Sequence, residues 1–262
     1  MPTATRVALR SLRARLVAAW ARMLGLVVRA LPSERSRWWV RRAALAVSAR
    51  LPRDAMILPG DTVLQVGIAV PASASAILRL VGPQGRVVFV EPVNHATIAE
   101  HLVSLGAENA TVVAKAAADA PGVARLLVAA RSLDHRLEDP AVVHDNDLVA
   151  AREGGYRTEE VEVDTVERIL EGLGIEHLDV ADIQVNGAEL KVLTGMGRYL
   201  EHTDRFFVKA HARDAATGRP LAEPIAALLR SHGLRVLRTR PTRAVDPSWG
   251  VRTGDVVAWR AR

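Results

Sequence analysis

Cysteine is absent from the chain. Its absence excludes disulfides, thiolate nucleophiles and cysteine-ligated zinc or iron sites, and leaves the redox compartment undecided. There is no phosphate loop ending in glycine-lysine-serine or threonine, and no serine in a nucleophile-elbow pattern, so nothing supports NTPase or hydrolase chemistry. Charged residues break every apolar run in the first 53 residues, well short of the roughly 20 residues a bilayer span needs. Internal repeats and low-complexity tracts are also lacking. Acidic residues are nearly missing from the first 53 positions, where Glu34 stands alone.

The sequence as a whole is apolar enough to fold: 49% of its 262 residues are hydrophobic, which suffices for one α/β domain and an appendage. Its charge divides the chain in two. Residues 1–53 hold twelve arginines and one acid for a net charge of +11, whereas the other 209 residues hold 23 bases and 28 acids for a net of −5. Basicity therefore belongs to an N-terminal extension (1–53), and the remainder (54–262) reads as the folded domain. Within the extension Leu12, Leu16, Trp20, Met23, Leu24, Val27 and Leu31 share one side of a helix, with Arg15, Arg22 and Arg29 opposite. Three roles fit an amphipathic basic helix over 12–31: peripheral contact with an anionic membrane surface, packing on the domain or on a second copy in a homo-oligomer, and a cleaved leader. A nucleic-acid partner is not expected, because the arginines come without lysine or an aromatic stacking platform. Pro32 and Ser33 end that helix, and Ser36–Val47 reads as a second. The expected localisation is cytoplasmic, with or without peripheral attachment to a membrane.

From Leu58 the pattern alternates. Strands are expected at Thr62–Val66, Arg86–Val90, Ala110–Ala114, Val123–Val128, Glu159–Val163, His177–Val185, Arg205–Ala210, Arg235–Arg238 and Asp255–Trp259. Helices are expected at Ala72–Val81, His95–Leu105, Val166–Leu173, Ala188–Leu200 and Leu221–His232, and residues 130–158 read as a long loop near the open edge of a site. Alternation of this kind specifies a doubly wound, mostly parallel Rossmann-like sheet. Ligands in such sheets sit beyond the carboxyl ends of the strands, where strand order reverses. Gly67 closes the first strand at that edge, and Glu91 closes the second, 24 residues on, where a carboxylate can bond ribose hydroxyls. A nicotinamide site is disfavoured because Gly67 lacks the second and third glycines of that fingerprint. His144-Asp145-Asn146-Asp147 has no calcium-loop glycine or distant glutamate, so no metal site is expected.

Two blocks carry a family resemblance. Pro59-Gly60-Asp61-Thr62-Val63-Leu64-Gln65-Val66-Gly67 continues through Val81-Gly82-Pro83-Gln84-Gly85-Arg86-Val87 to Val90-Glu91-Pro92, and Thr165-Val166-Glu167 is followed by Asp182 to Glu189. Over 59–122 and 159–211 the chain resembles the FkbM family of S-adenosylmethionine-dependent methyltransferases. The resemblance implies a class I methyltransferase fold, S-adenosylmethionine as cofactor, and methyl transfer to an oxygen of a small molecule or sugar. The departures fall at the site. Gln65 stands where the family has aspartate, and Ala69-Val70-Pro71 where it has asparagine, a variable residue and glycine. Asp182, Gln184 and Asn186 replace lysine, aspartate and glutamate, and Lys209 replaces a glutamate. Glutamine and asparagine keep hydrogen-bonding shape without charge.

Two readings follow from the resemblance. In an active enzyme Glu91 anchors the ribose, Gly67 and Gln65 line the cofactor's methionine end, Asp119 lies on the adenine side, Gln184 also belongs to the cofactor site, and His211 or Glu189 accepts the acceptor's proton. In a pseudoenzyme the fold survives as a binding or scaffold module, held to a membrane by its basic extension.

Overall fold

The computed structural model describes residues 56–68, 70–130, 135–144, 147–152, 154–238 and 254–260, together with the isolated positions 23 and 27. Of the amphipathic helix expected over 12–31, only Met23 and Val27 are described. Both are helical and exposed; the rest of that expectation, and the helix expected at 36–47, lie outside the described residues.

The elements run β1 (Thr62–Val66), α1 (Pro71–Val81), β2 (Arg86–Val90), α2 (His95–Ser104), β3 (Ala110–Val113), β4 (Ala116–Ala117) and β5 (Gly122–Ala129). They continue with β6 (Arg136–Leu137), β7 (Val142–His144), α3 (Asp147–Arg152), β8 (Tyr156–Asp164), α4 (Val166–Gly172), β9 (Leu178–Ile183) and α5 (Glu189–Thr194). A 3-10 turn (Gly197–Leu200), β10 (Thr203–Val208), β11 (Ala212–Asp214), α6 (Ala222–Ser231), β12 (Leu234–Arg238) and β13 (Val256–Arg260) complete the order.

Seven strands form the main sheet in the order β12-β13-β10-β9-β1-β2-β3. The five from β10 to β3 are parallel, and β13 runs antiparallel between β10 and β12. Strand order reverses between β1 and β9, the position at which this architecture opens a ligand crevice. Both faces are covered. Val63, Val87 and Phe89 pack with Ile77 and Leu80 of α1 and Ile98 of α2, while Leu64, Val66, Val88 and Val90 pack with residues of α4, α5 and α6. Alternate side chains of one strand thus enter opposite cores, which is why, after the leading Thr62 and Arg86, β1 and β2 are apolar apart from Gln65. Among the described residues no helix is long and apolar enough to cross a membrane.

Pro71, the sharpest break with the family pattern, is the first residue of α1 and follows an extended Val70. Proline is at home there because the first helical N–H has no partner to lose. Thr165 caps α4 by accepting the Arg168 N–H at 3.2 Å. Two expectations are corrected. Residues 130–158 are not simply loop, since β6, β7, α3 and the start of β8 lie there, and β5 pairs with β8 over eight residues in a separate four-stranded sheet. The helix expected over 188–200 is two pieces. A Cβ on Gly195 would stand 1.9 Å from the Ala118 carbonyl oxygen, and Gly197 has φ +49°, so the chain turns away there.

At the amino edge a buried ion pair ties three segments. Arg205 donates to Asp61 Oδ1 at 2.9 Å, to the Met56 carbonyl at 2.7 Å and to the Asp179 carbonyl at 3.1 Å. Asp61 Oδ2 accepts from the Leu58 N–H at 2.5 Å. Burial pushes the Asp61 carboxyl above its ordinary range, and the Arg205 guanidinium pulls it back. Removing the cation leaves a buried acid without its partner, so Arg205→Met is expected to lower the unfolding free energy by about 3–5 kcal/mol. Urea denaturation measures it; a loss under about 1 kcal/mol would show that the pair is dispensable.

Candidate functional site

Beyond the carboxyl edge of β2, β1, β9 and β10 lies a cavity of about 200 Å³. Its floor is formed by Gln65 of β1 and Gly67 just after it, Glu91 and Asn94 after β2, Gln184 and Asn186 after β9, and Lys209 after β10. Its roof includes His135, Arg136 and Leu137 of the β6 region.

The floor depends on Gly67. Its φ is +79°, and a Cβ would stand 2.2 Å from the Gln184 carbonyl oxygen. Gly67 N–H donates to the Val90 carbonyl at 3.0 Å, and Gln184 N–H to the Val66 carbonyl at 2.9 Å. Glycine is required because three strand ends meet there, a reason independent of any ligand. Glu91, buried at 6% exposure, accepts three backbone N–H groups: Ile68 at 3.0 Å on one oxygen, Val93 at 2.8 Å and Asn94 at 3.0 Å on the other. A carboxylate has about four acceptor positions, so most of its capacity is spent on holding the loops after β1 and β2.

Two buried polar atoms of residues on this floor have no hydrogen-bond partner among the described residues: Gln65 Oε1, an acceptor, and Asn94 Nδ2, a donor. Gln184 donates from its amide to Asp182 Oδ1 at 2.9 Å. Asn94 was not singled out in the sequence. The available signal was its place three residues after Glu91, on the turn that the carboxylate organises.

The other expected residues are elsewhere. Glu189 is fully buried at the start of α5, with both oxygens accepting the Gly187 N–H at 3.0 and 3.1 Å. Burial pushes its carboxyl up to about 7, against the Gly187 hydrogen bond and the field of Lys209. Neither Glu189 nor His211 is among the lining residues. His211 Nε2 lies 2.8 Å from Asp255 Oδ1. Asp119 is exposed just after β4 and is likewise outside the lining, whereas its neighbours Ala116 and Ala117 are part of it.

The roof is fastened by its own polar cluster. Arg136 pairs with both oxygens of Asp147 at 3.0 and 3.3 Å, Tyr156 donates to Asp147 Oδ1 at 3.0 Å, and the guanidinium lies 5.7 Å from the centre of the Tyr156 ring. Burial, with the Asp147 charge beside it, pushes the Tyr156 hydroxyl up to about 12. Asn186 Nδ2 donates to the His135 carbonyl at 3.0 Å, joining roof to floor. Asp147 is thus committed to the roof; Asp145 and Asn146 lie outside the described residues. His177, Asp179 and Asp204 also come together, near the amino ends of β9 and β10. Asp179 there is already engaged by the Thr62 N–H at 2.8 Å and by Arg205 at 3.5 Å.

Residues 65–236 match the family model described as the methyltransferase FkbM domain. Among curated proteins no sequence matches the chain. Solved structures similar to it include a fibrillarin of Aeropyrum pernix with natively bound S-adenosyl-L-methionine, at 14% identity over 84% of this chain and 74% of that one, with a TM-score of 0.44. Another is a precorrin-6y C5,15-methyltransferase of Geobacter metallireducens, at 16% identity over 84% of this chain and 88% of that one, with a TM-score of 0.40.

Glu189 gives the folded chain a pH signature. Its folded value near 7 stands above the ordinary 4.5. In that window the folded chain holds a proton that the unfolded chain has released, so stability falls as pH rises through it and levels off above. The expected loss is roughly 3 kcal/mol between about pH 4.5 and 7. Glu189→Gln, which can still accept from Gly187, should remove that slope when urea unfolding is compared across the window. An unchanged slope would assign the titration to another group.

Proposed function

The chain belongs to the FkbM methyltransferase family, and from that premise we propose that the cavity binds S-adenosylmethionine for O-methylation of a small-molecule or sugar hydroxyl. The observation that carries this reading is that Gln65 and Asn94, two residues of one cavity lining at the strand-order reversal, hold buried polar atoms, Oε1 and Nδ2, without a hydrogen-bond partner among the described residues. A buried polar group left unpaired costs about 1–3 kcal/mol. A ligand offering one donor and one acceptor in this place removes both costs. Adenosyl cofactors have that character, with a ribose, a purine edge, an ammonium and a carboxylate.

Each residue has a definite task in this reading. Glu91, with about one acceptor position to spare, takes a single ribose hydroxyl. Asn94 Nδ2 donates to a ribose or purine acceptor. Gln65 Oε1 accepts from the ammonium as a neutral group, so the contact is a hydrogen bond without charge pairing. When bound, the cofactor supplies a methyl group on a positively charged sulfur. What the chain contributes is alignment beneath the roof, and alignment alone is a large part of the barrier in transfers of this kind. The acceptor's proton passes to water, since neither Glu189 nor His211 lines the cavity.

A second reading, a binding or scaffold module without turnover, is favoured by one observation. Among the described residues Glu91 is the sole acid lining the cavity, and it is engaged with backbone. Calorimetric titration with S-adenosylmethionine and S-adenosylhomocysteine, followed by transfer of labelled methyl to hydroxyl compounds, separates the readings. Micromolar binding is expected, weakened about three- to tenfold in Asn94→Ala. Binding without transfer would favour the scaffold, and no binding at millimolar ligand would overturn the cofactor reading.

A further inference from the structure

Only three of the 35 basic residues are lysines, and all three are described. Two are neutralised. Lys115 lies 2.6 Å from Glu162 and 3.0 Å from Asp164, and Lys191 lies 2.9 Å from Asp139. The third, Lys209, has no acid within ion-pair distance among the described residues, yet it is partly buried and lines the cavity. Glu189, a carboxyl that its charge acts on, is sealed beneath the Gly187 backbone, and burial raises its titration to about 7. An ammonium withdrawn from bulk water without a partner carries a desolvation cost that an anion in the cavity would offset.

Its position decides which anion. Strands β2, β1, β9 and β10 are adjacent in that order, and neighbouring strands stand about 4.8 Å apart, so the ends of β2 and β10 are about 14 Å apart. Glu91 and Asn94 occupy the β2 end, Gln65 and Gln184 the middle, and Lys209 the far end. A ligand whose ribose lies on Glu91 spends its length crossing β1 and β9. Arg136 of the roof borders the same cavity, but its charge is taken up by Asp147.

We infer that Lys209 anchors an oxyanion on the acceptor molecule, so that the substrate class is hydroxyl compounds bearing a carboxylate or a phosphate. The inference rests on the cofactor reading above for the word acceptor; the oxyanion site itself does not. The ammonium fixes the acidic end of the acceptor at the β10 edge, and the acceptor hydroxyl is thereby turned back toward the middle of the cavity.

The scarcity of lysine makes the test direct. Reductive methylation with labelled formaldehyde keeps the charge and gives the full-length protein one dimethylammonium NMR signal for each of three lysines, and Lys209→Gln identifies the signal of interest. Titration with inorganic phosphate and, separately, acetate at constant ionic strength should move the Lys209 signal saturably while those of Lys115 and Lys191 stay still. The anion with the stronger response names the acidic group. A Lys209 signal that moves no more than the other two would overturn the inference.

Titrating S-adenosylhomocysteine into Lys209→Gln supplies the control. Affinity within about twofold of the unaltered chain is expected, whereas a loss of about tenfold or more would reassign the ammonium to the cofactor's own carboxylate and overturn the acceptor assignment. If neither protein binds that ligand, the cofactor reading falls with the acceptor role, and the phosphate and acetate titrations still decide whether Lys209 is an oxyanion site.

Discussion

The cavity depends on one close approach, between the backbone at Gly67 and the carbonyl of Gln184. The two strands that part at the order reversal are pressed together at their carboxyl ends, leaving 2.2 Å where any other residue would put its Cβ. With φ at +79° and no side chain, Gly67 lets β1 turn out of the sheet directly over β9. That turn sends Ile68 back to Glu91, opens α1 at Pro71, and separates the ends of β2 and β10 across one shared floor. A larger residue would force β1 and β9 apart, and the residues flanking the gap would lose their common cavity.

The acids retained in the motif blocks share a task that their spacing does not reveal. Asp61 accepts from the Leu58 N–H, Glu91 from three N–H groups, Glu167 from the Arg198 N–H at 3.0 Å and Glu189 from that of Gly187. Each neutralises backbone donors at a turn that a helix or strand cannot satisfy. The acids replaced by Gln65, Gln184 and Asn186 stand on the cavity itself. The chain therefore keeps the carboxylates that hold its loops together and has amides where a ligand would be met. Amides preserve hydrogen bonding while removing negative charge, and Lys209 adds positive charge at the far end of the same floor. The outcome is a cavity whose lining, among the described residues, holds amides, a lysine and a single acid, Glu91.

Much of the sheet was legible in advance because buried parallel strands are read from composition and length alone. Thr62–Val66 and Arg86–Val90 have the expected bounds, and Gly67 and Glu91 fall on the cavity as their positions at strand ends implied. Val123–Val128 and Glu159–Val163 were legible as strands, but the pairing of β5 with β8 and the roof were not. Tyr156 to Val163 alternates charged with half-buried residues, and its pairing with Gly122–Ala129 joins positions some thirty residues apart. Nothing local in residues 130–158 announces that Arg136, Asp147 and Tyr156 form one cluster. Asn94 belongs to the same class, since an asparagine on a turn is ordinary until its amide is seen buried and unpartnered.

Local pattern in the chain was enough for the strand and helix alternation of the main sheet, and two motif blocks were enough for the family. The alternation follows from periodicity and turn chemistry, each acting over a few neighbours, and the family from the residue types of those blocks. Only the folded chain decided that Glu189 lies sealed beneath Gly187, that His211 faces Asp255 instead of the cavity, and that Lys209 is the lysine left without an ion pair among the described residues. Burial and pairing are relations between segments far apart in sequence, and a side chain's charge or reach takes on chemical meaning only when the surrounding dielectric and partners are in place.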